Sequence, residues 1–400
     1  VRILTPTSWV GVGLVLLIGC QTDTKRKVEE QVATVAAVPV PTTPFVGYHR
    51  YLGTVGGRAV TLEIIITPAV EKEPAKCEGH YYYSQGSGGQ LFVSYTGAYQ
   101  AQQPLRLTES ADNLKSKVTG HWQAVQPAGP LLTGMWSSPS GKQLPFSLHE
   151  DYTDGQGHVA AVQYELLQEG VEVPCQSELE EGESKAAYRA RTKGLTSSYS
   201  QFFLHLLGSD TLRPALRALQ CPVPARRQGQ MRKEVGYAGC NQMVHELEVS
   251  YNAHGLLSLA SFYNEDNEGA VHPAHGVSTI TYDLRTGRAL AIAALIRPGT
   301  DSILSRLITQ HLEQDEDVVY DELLNHFATD STLAPLPQQG LGIADEGLEF
   351  TYTTYEILPY VHPPVTLLVP WRELLPLLSP DSPVARMLRE RGLWKQQKLR

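Results

Sequence analysis

With 400 residues the chain is long enough for two modules that each bury a core. Its 33 Lys+Arg against 42 Asp+Glu give a net charge of -9, which excludes nucleic acid as a partner unless one face were strongly basic. The only compact basic cluster, Arg226-Arg227 with Arg232-Lys233, sits in a Gln/Gly-rich loop, and the net negative charge favours cationic proteins instead.

Trp9 to Ile18 is apolar and uncharged behind the weakly positive Val1-Arg2-Ile3-Leu4, as in the hydrophobic region of a signal peptide. It is shorter than the roughly 20 apolar residues that span a bilayer. The run closes in Leu17-Ile18-Gly19-Cys20, which resembles a bacterial lipobox. That resemblance implies a lipoprotein: residues 1–19 are removed as signal peptide, and the Cys20 thiol carries a diacylglycerol membrane anchor that labels with palmitate. It also implies export to the cell envelope. Gln21, where Asp would stand in the known retention rule, points to the outer membrane. An ordinary secretory signal cut nearby is the alternative. Residues 20–44, acidic and basic at first and then Val/Ala/Pro/Thr-rich, have no periodicity that could bury a face, and they read as anchor and flexible tether.

Residues 45–152 read as an all-β, barrel-like meander. Val60, Leu62, Ile64 and Ile66 alternate with Thr61 and Glu63, and further strands are expected at 81–84, 90–96, 105–109, 118–125, 131–137 and 144–150. Thr119-Gly120-His121-Trp122 recurs as Thr133-Gly134-Met135-Trp136, which predicts two successive strands of one design. A Gly-x-Trp in a meander resembles lipocalin-like and avidin-like barrels, so small-ligand carriage is one reading. Tryptophans that plug the barrel are the favoured one, because small barrels are filled by their own side chains.

Residues 154–395 read as an α+β domain with an antiparallel sheet and packed helices. Strands are expected at 159–167, 242–251, 256–263, 277–284, 348–357 and 365–369, with a further segment at 371–378. Helical character is expected at 184–207, 211–219, 301–312 and 319–327. In the 301–312 helix Ile303, Leu304, Leu307 and Ile308 would share a face, with Asp301 at the favourable end of the dipole.

Four cysteines remain after Cys20, an even count that favours disulfides in an exported chain. Cys221 with Cys240 closes a short Pro/Arg/Gly-rich loop, which leaves Cys77 with Cys175. A zinc site finds no C-x-x-C or Cys/His spacing in its favour.

Residues able to carry chemistry are few. His272-Pro273-Ala274-His275 lies near Glu265, Asp266 and Glu268 and could take a divalent metal for a metal-assisted hydrolase acting on envelope glycans, but no helix fixes its spacing, and a polar hairpin turn is the favoured reading. His245-Glu246 within a strand points to opposite faces and makes no dyad. No G-x-S-x-G elbow, Walker sequence or G-x-G-x-x-G is present, and the carboxylate runs 178–183 and 315–317 read as solvated faces. No catalytic residue, resident metal or cofactor is assigned.

The string Glu346-Gly347-Leu348-Glu349-Phe350-Thr351-Tyr352-Thr353-Thr354-Tyr355-Glu356-Ile357-Leu358-Pro359-Tyr360, followed by Val369-Pro370-Trp371-Arg372-Glu373-Leu374, is the most specific in the chain. It resembles the C-terminal domain of unknown function shared by the lysozyme-sensing anti-sigma factor RsiV and certain peptidoglycan deacetylases. Tyr282-Asp283-Leu284-Arg285-Thr286-Gly287-Arg288 and His272-Pro273 are similar to further turns of that domain, and the likeness spans residues 240–378 closely and 155–239 loosely. Gly269-Ala270-Val271-His272 lacks the paired glycines of the family, and Val361-His362-Pro363-Pro364 replaces its Ala and Gly. The resemblance implies a non-enzymatic binding module whose partner is peptidoglycan or a lysozyme-like protein. Tyr352, Tyr355, Tyr360 and His272 are its binding candidates, weighed against aromatic packing on the 301–327 helices.

Overall fold

A computed structural model describes residues 46–69, 74–83, 91–111, 117–154, 157–175, 182–191, 193–207, 240–315, 333–338 and 340–394. All belong to one compact unit, Pro41–Arg400. The segments expected as signal peptide and tether, Cys20, the basic cluster, Cys221 and the helices expected at 211–219 and 319–327 lie outside the described residues. Among those described, no helix is long and apolar enough to cross a membrane.

The first half is a closed antiparallel barrel of eight strands in chain order: β1 (Gly47–Val55), β2 (Arg58–Thr67), β3 (Lys76–Tyr83), β4 (Leu91–Tyr95), β5 (Arg106–Ser110), β6 (Val118–Ala124), β7 (Leu131–Ser137) and β8 (Gln143–Glu150), with β8 returning to β1. Val60, Leu62, Ile64 and Ile66 of β2 enter the barrel core as their alternation predicts, each burial worth about 1.5–3 kcal/mol. The repeated motif falls on β6 and β7, where Trp122 and Trp136 are direct cross-strand partners. Both indole N–H groups donate to one oxygen of the buried Glu109, at 3.2 and 2.6 Å, and the Tyr81 hydroxyl donates to the same oxygen at 2.8 Å. Thr119 donates to the other oxygen at 2.7 Å. A Cβ on Gly120 would overlap the Trp136 indole, so glycine at that place in the motif lets the ring reach the carboxylate. Trp122 packs edge-on to Tyr81 and tilted to Phe146 and fills the interior.

The outer face of β1, β2 and β3 is covered, not solvated. Arg50, Glu63 and His80 stand side by side across the three strands, with Arg50 Nε 3.7 Å and His80 Nε2 2.8 Å from the Glu63 carboxylate. Tyr48, on the same face, stacks on Tyr164 of the second half at 5.2 Å and donates to the carbonyl of Asn252. Burial alone would raise the pKa of Glu63, but the hydrogen bond and charge of His80, the Arg50 guanidinium and the Tyr48 hydroxyl outweigh it and hold the carboxyl below its ordinary value.

The second half carries a six-stranded sheet in the order β14 (Arg288–Ala289), β13 (Ala274–Asp283), β12 (Leu256–Asp266), β11 (Gln242–Ala253), β10 (Thr196–Leu206), β9 (Tyr164–Pro174). Its pairing is antiparallel except for β10 with β11, which run parallel. The expected antiparallel sheet is thus mixed at one seam. A three-stranded sheet of β15 (Leu341–Ile343), β16 (Gly347–Tyr352) and β17 (Val365–Pro370) packs with α3 (Asp301–Gln314), α4 (Trp371–Leu374) and α5 (Pro383–Glu390) around the largest core. Two short helices, α1 (Lys185–Arg191) and α2 (Ile292–Leu295), complete the described elements.

Two helical expectations need correction. The stretch 184–207 is helical only over Lys185–Arg191 and continues as β10, which pairs with β9 along its full length. An apolar run such as Phe202-Phe203-Leu204 suits a buried strand as well as a helix, and cross-strand pairing decides. In α3 the buried stripe is Leu304, Ile308 and Leu312, spaced by four, while Ile303 is 48% exposed.

Candidate functional site

β16 delivers the motif tyrosines to different places. Phe350 and Tyr352 are fully buried in the core that also holds Leu304 and Ile308, and the Tyr352 hydroxyl donates to the Pro335 carbonyl at 2.7 Å. Tyr352 is therefore a core residue that reaches no ligand, because a strand sandwiched between sheet and helix buries the face it shares with Phe350.

Beyond Tyr352 the chain turns. Glu356 accepts from the backbone N–H groups of Thr353 and Gln338 at 3.1 and 2.9 Å, closing the turn from within. Thr353 and Thr354 tie it to β13: the Val277 N–H donates to Thr353 Oγ1 at 3.2 Å, and Thr354 Oγ1 donates to the His275 carbonyl at 2.8 Å. Gly276 is needed at this seam, since a Cβ there would lie 2.6 Å from the Tyr263 ring and 2.8 Å from Thr353 Oγ1. Between these ties Tyr355 adopts φ 68°, a left-handed conformation that costs a tyrosine about 1–2 kcal/mol, and its side chain is 62% exposed.

The same ties bring two distant pieces of sequence together. His272 stacks on Tyr360 with ring centroids 3.7 Å apart, His275 is tilted to Tyr360 at 4.6 Å, and Tyr355 lies 6.0 Å from it. The Tyr360 hydroxyl donates to the Pro273 carbonyl, which also faces His272 Nδ1 at 2.9 Å. Beside the rings runs an open groove of about 560 Å³ lined by His275, Tyr360, Val361, His362 and Pro363. Val271 and Val361 stand out beside them, Val361 78% exposed. Three of the four binding candidates, His272, Tyr355 and Tyr360, thus meet, together with His275 and His362.

The carboxylates near His272 in sequence do not join it. Glu265 receives His245 Nε2 at 3.0 Å and Glu268 receives the Cys240 N–H at 2.7 Å. Among the described residues no three His, Cys, Asp or Glu side chains come together as a metal-binding group. His245 and Glu246 form no dyad, but His245 lies between Glu265 and the Tyr199 hydroxyl, 3.3 Å from its Nδ1. Neither partner is a local neighbour in sequence, so no motif announces this Tyr–His–Glu row. The Tyr199 ring is buried against Val171 and Met243, and its hydroxyl donates to Gln201 Oε1 at 3.0 Å.

The disulfide differs from the expected pairing. Cys175, at the end of β9, is joined to Cys240, just ahead of β11, with Cα atoms 4.8 Å apart. β10 lies between β9 and β11 and brings their ends together, whereas Cys77 is free inside the barrel. Burial, with the nearby Glu78, pushes the Cys77 thiol up to about 12.

No curated protein matches the chain. Residues 293–372 match the model of a family described as protein of unknown function, DUF3298. Among solved structures, a member of that family from Bacteroides fragilis is 17% identical, with the alignment covering 56% of this chain and 96% of that one at a TM-score of 0.39. A DUF3298 family protein from Pseudomonas aeruginosa is 16% identical over 55% of this chain and 95% of that one, with a TM-score of 0.39. The segment that supplies Tyr355, Tyr360 and His362 to the groove is a DUF3298 domain.

Proposed function

We propose that the protein is a non-enzymatic binding module of a bacterial cell envelope, exported and held by a lipid on Cys20. Its ligand, a cell-wall glycan or a lysozyme-like protein, docks on the surface around Tyr360. The observation that carries this reading is the meeting of His272 and His275 with Tyr355 and Tyr360 on an exposed groove, built by a strained turn that holds one tyrosine out to solvent. Tyrosine and imidazole rings give rigid amphipathic contact to sugars and proteins at low entropic cost. The net charge of -9 would speed encounter with a cationic protein. The hydrolase reading loses support because Glu265 and Glu268 bind elsewhere, and small-ligand carriage loses it because Trp122, Tyr81 and Phe146 fill the barrel. A pull-down with the soluble chain, at low and physiological salt, against peptidoglycan and lysozyme tests the proposal. Retention of at least one, lost in Tyr360→Ala, is expected; retention of neither at low salt would reject it.

A further inference from the structure

β9 ends the six-stranded sheet, with β10 on one side and no strand among the described residues on the other. Two backbone bonds flank its pairing with β10: the Leu207 N–H donates to the Gln163 carbonyl and the Cys175 N–H to the Leu195 carbonyl. The odd-numbered residues of β9 therefore turn their N–H and C=O groups toward β10, and the even-numbered ones turn theirs outward. Pro174, which has no N–H to offer, stands at an outward position. Leu166, Gln168, Gly170 and Glu172 are the other outward residues beyond Tyr164, and all of them are exposed. We propose that this edge is a docking strand, to which an extended segment of a cationic protein adds as a further strand, with apolar side chains beside Val171 and Val173 and Lys or Arg beside Glu172. The surface is separate from the groove at Tyr360, which adjoins β13 on the far side of the sheet.

Edge strands are usually guarded against such pairing by Lys, a bulge or shortness. β14, at the other edge, is two residues long. β9 pairs with β10 in unbroken register over Tyr164–Pro174, carries no Lys, and has the bare Gly170 in its outward row. Its two faces differ. Val171 and Val173 lie with Tyr199 and Met243 in a small apolar cluster, while Glu172 is exposed on the opposite face. β9 and β10 together hold Glu165, Glu169 and Glu172 and no Lys or Arg, and His205 already engages Glu165. An added strand that is apolar on one face and cationic on the other continues both patterns. A second copy of this chain fits less well: the two-fold pairing that uses Leu166, Gln168, Gly170 and Glu172 sets each Glu169 directly opposite the other, and like charges so placed weaken a ladder. The net charge of -9 opposes that association further.

Fluorescence anisotropy of the purified protein with a labelled peptide of alternating Val and Lys, and with one of alternating Val and Glu, tests this. The Val/Lys peptide should bind, more weakly as salt rises, and the Val/Glu peptide should not. Binding should slow amide exchange at Leu166, Gln168, Gly170 and Glu172. Gly170→Pro removes an outward N–H and leaves the bonds to β10 in place, so it should weaken binding at least about tenfold at an unchanged melting temperature. Should that variant melt lower, Glu169→Lys/Glu172→Lys decides, since it should shift the preference to the Val/Glu peptide. Val/Lys binding that survives Gly170→Pro, or that leaves those amides unprotected, is charge attraction elsewhere on the surface and overturns the docking strand, as does the absence of binding. A protein that sediments as a dimer, and as a monomer after Gly170→Pro, gives the edge to a second copy and overturns the cationic partner.

Discussion

His80 donates from Nε2 to the Glu63 carboxylate over 2.8 Å, on the face of the barrel that the second half of the chain covers. The bond joins neighbouring strands β2 and β3, and Arg50 approaches the same carboxylate from β1, so one anion serves two cations. Replacing Glu63 by Gln leaves Arg50 and His80 beside a covered face without their counter-charge. It should cost about 3–5 kcal/mol in chemical denaturation.

The same pair sets a pH window. Burial would lower the His80 pKa, but the Glu63 hydrogen bond and charge, with Asp345, raise it above its ordinary 6.5, while Glu63 is held below its ordinary 4.5. A raised imidazole stabilises the fold fully below 6.5 and loses that contribution as pH climbs through its elevated value. A depressed carboxyl contributes above 4.5 and loses its share as pH falls through the depressed value. The melting-temperature gap between wild type and His80→Gln should therefore be widest between pH 4.5 and 6.5 and narrow toward alkaline pH. A gap that grows above pH 8 would contradict the assignment.

Glu109 is the interior counterpart, an anion held by two indoles, a phenol and a hydroxyl. Gln in its place keeps the volume but turns an amide N–H₂ toward donors, leaving at least one buried N–H or O–H unpaired at about 1–3 kcal/mol. Glu109→Gln should lower the unfolding midpoint and shift the Trp122 and Trp136 fluorescence. An unchanged spectrum would mean that the tryptophans do not depend on the carboxylate.

How much of this was legible in sequence depends on how local each cause is. The β2 alternation and the Trp122/Trp136 echo are local, and β2, β6 and β7 are where they were expected. β1 carries the same period, but its inward residues are His49, Tyr51, Gly53 and Val55, too polar and small to read as an apolar face. Glu63 and Thr61 read as a solvent face, yet both are buried, since a strand cannot announce that a second module will cover its outer side. α5 went unread in the sequence; in the structure it starts at Ser382-Pro383, where Ser382 accepts the Ala385 N–H at 3.1 Å. The groove was half legible: Tyr355, Tyr360 and His272 stood out by resemblance, but their meeting depends on β13 and the turn after β16 being tied through Thr353 and Thr354.

The disulfide depends on topology in the same way. Peptide mapping under non-reducing conditions should recover Cys175 linked to Cys240, with Cys77 resisting alkylation until the barrel unfolds. Cys175→Ser should cost about 4 kcal/mol by the loop-entropy relation, for a sequence separation of 65 residues. A Cys221–Cys240 peptide would overturn the pairing.

Acylation of Cys20 is expected from Leu17-Ile18-Gly19-Cys20. Labelled palmitate should enter the wild type expressed in a bacterium and not Cys20→Ser. Equal labelling of the two would reject the anchor.

Tyr355 separates binding from stability. Its φ of 68° is a conformation glycine adopts freely, and its side chain is largely exposed, so packing gives little in return for the strain. Tyr355→Gly should therefore leave the fold as stable or raise stability by up to about 1 kcal/mol, the left-handed penalty less the extra chain entropy of glycine. If the tyrosine is kept for binding, the same variant should weaken capture of whichever ligand the pull-down identifies, while Tyr352→Phe, which removes a buried hydroxyl bonded to Pro335, should lose about 1 kcal/mol of stability and keep the affinity. The two variants thus move opposite quantities. A Tyr355→Gly protein that melts several degrees lower and binds normally would mean that Tyr355 serves the fold, and would shift the docking surface toward His272 and His275 alone.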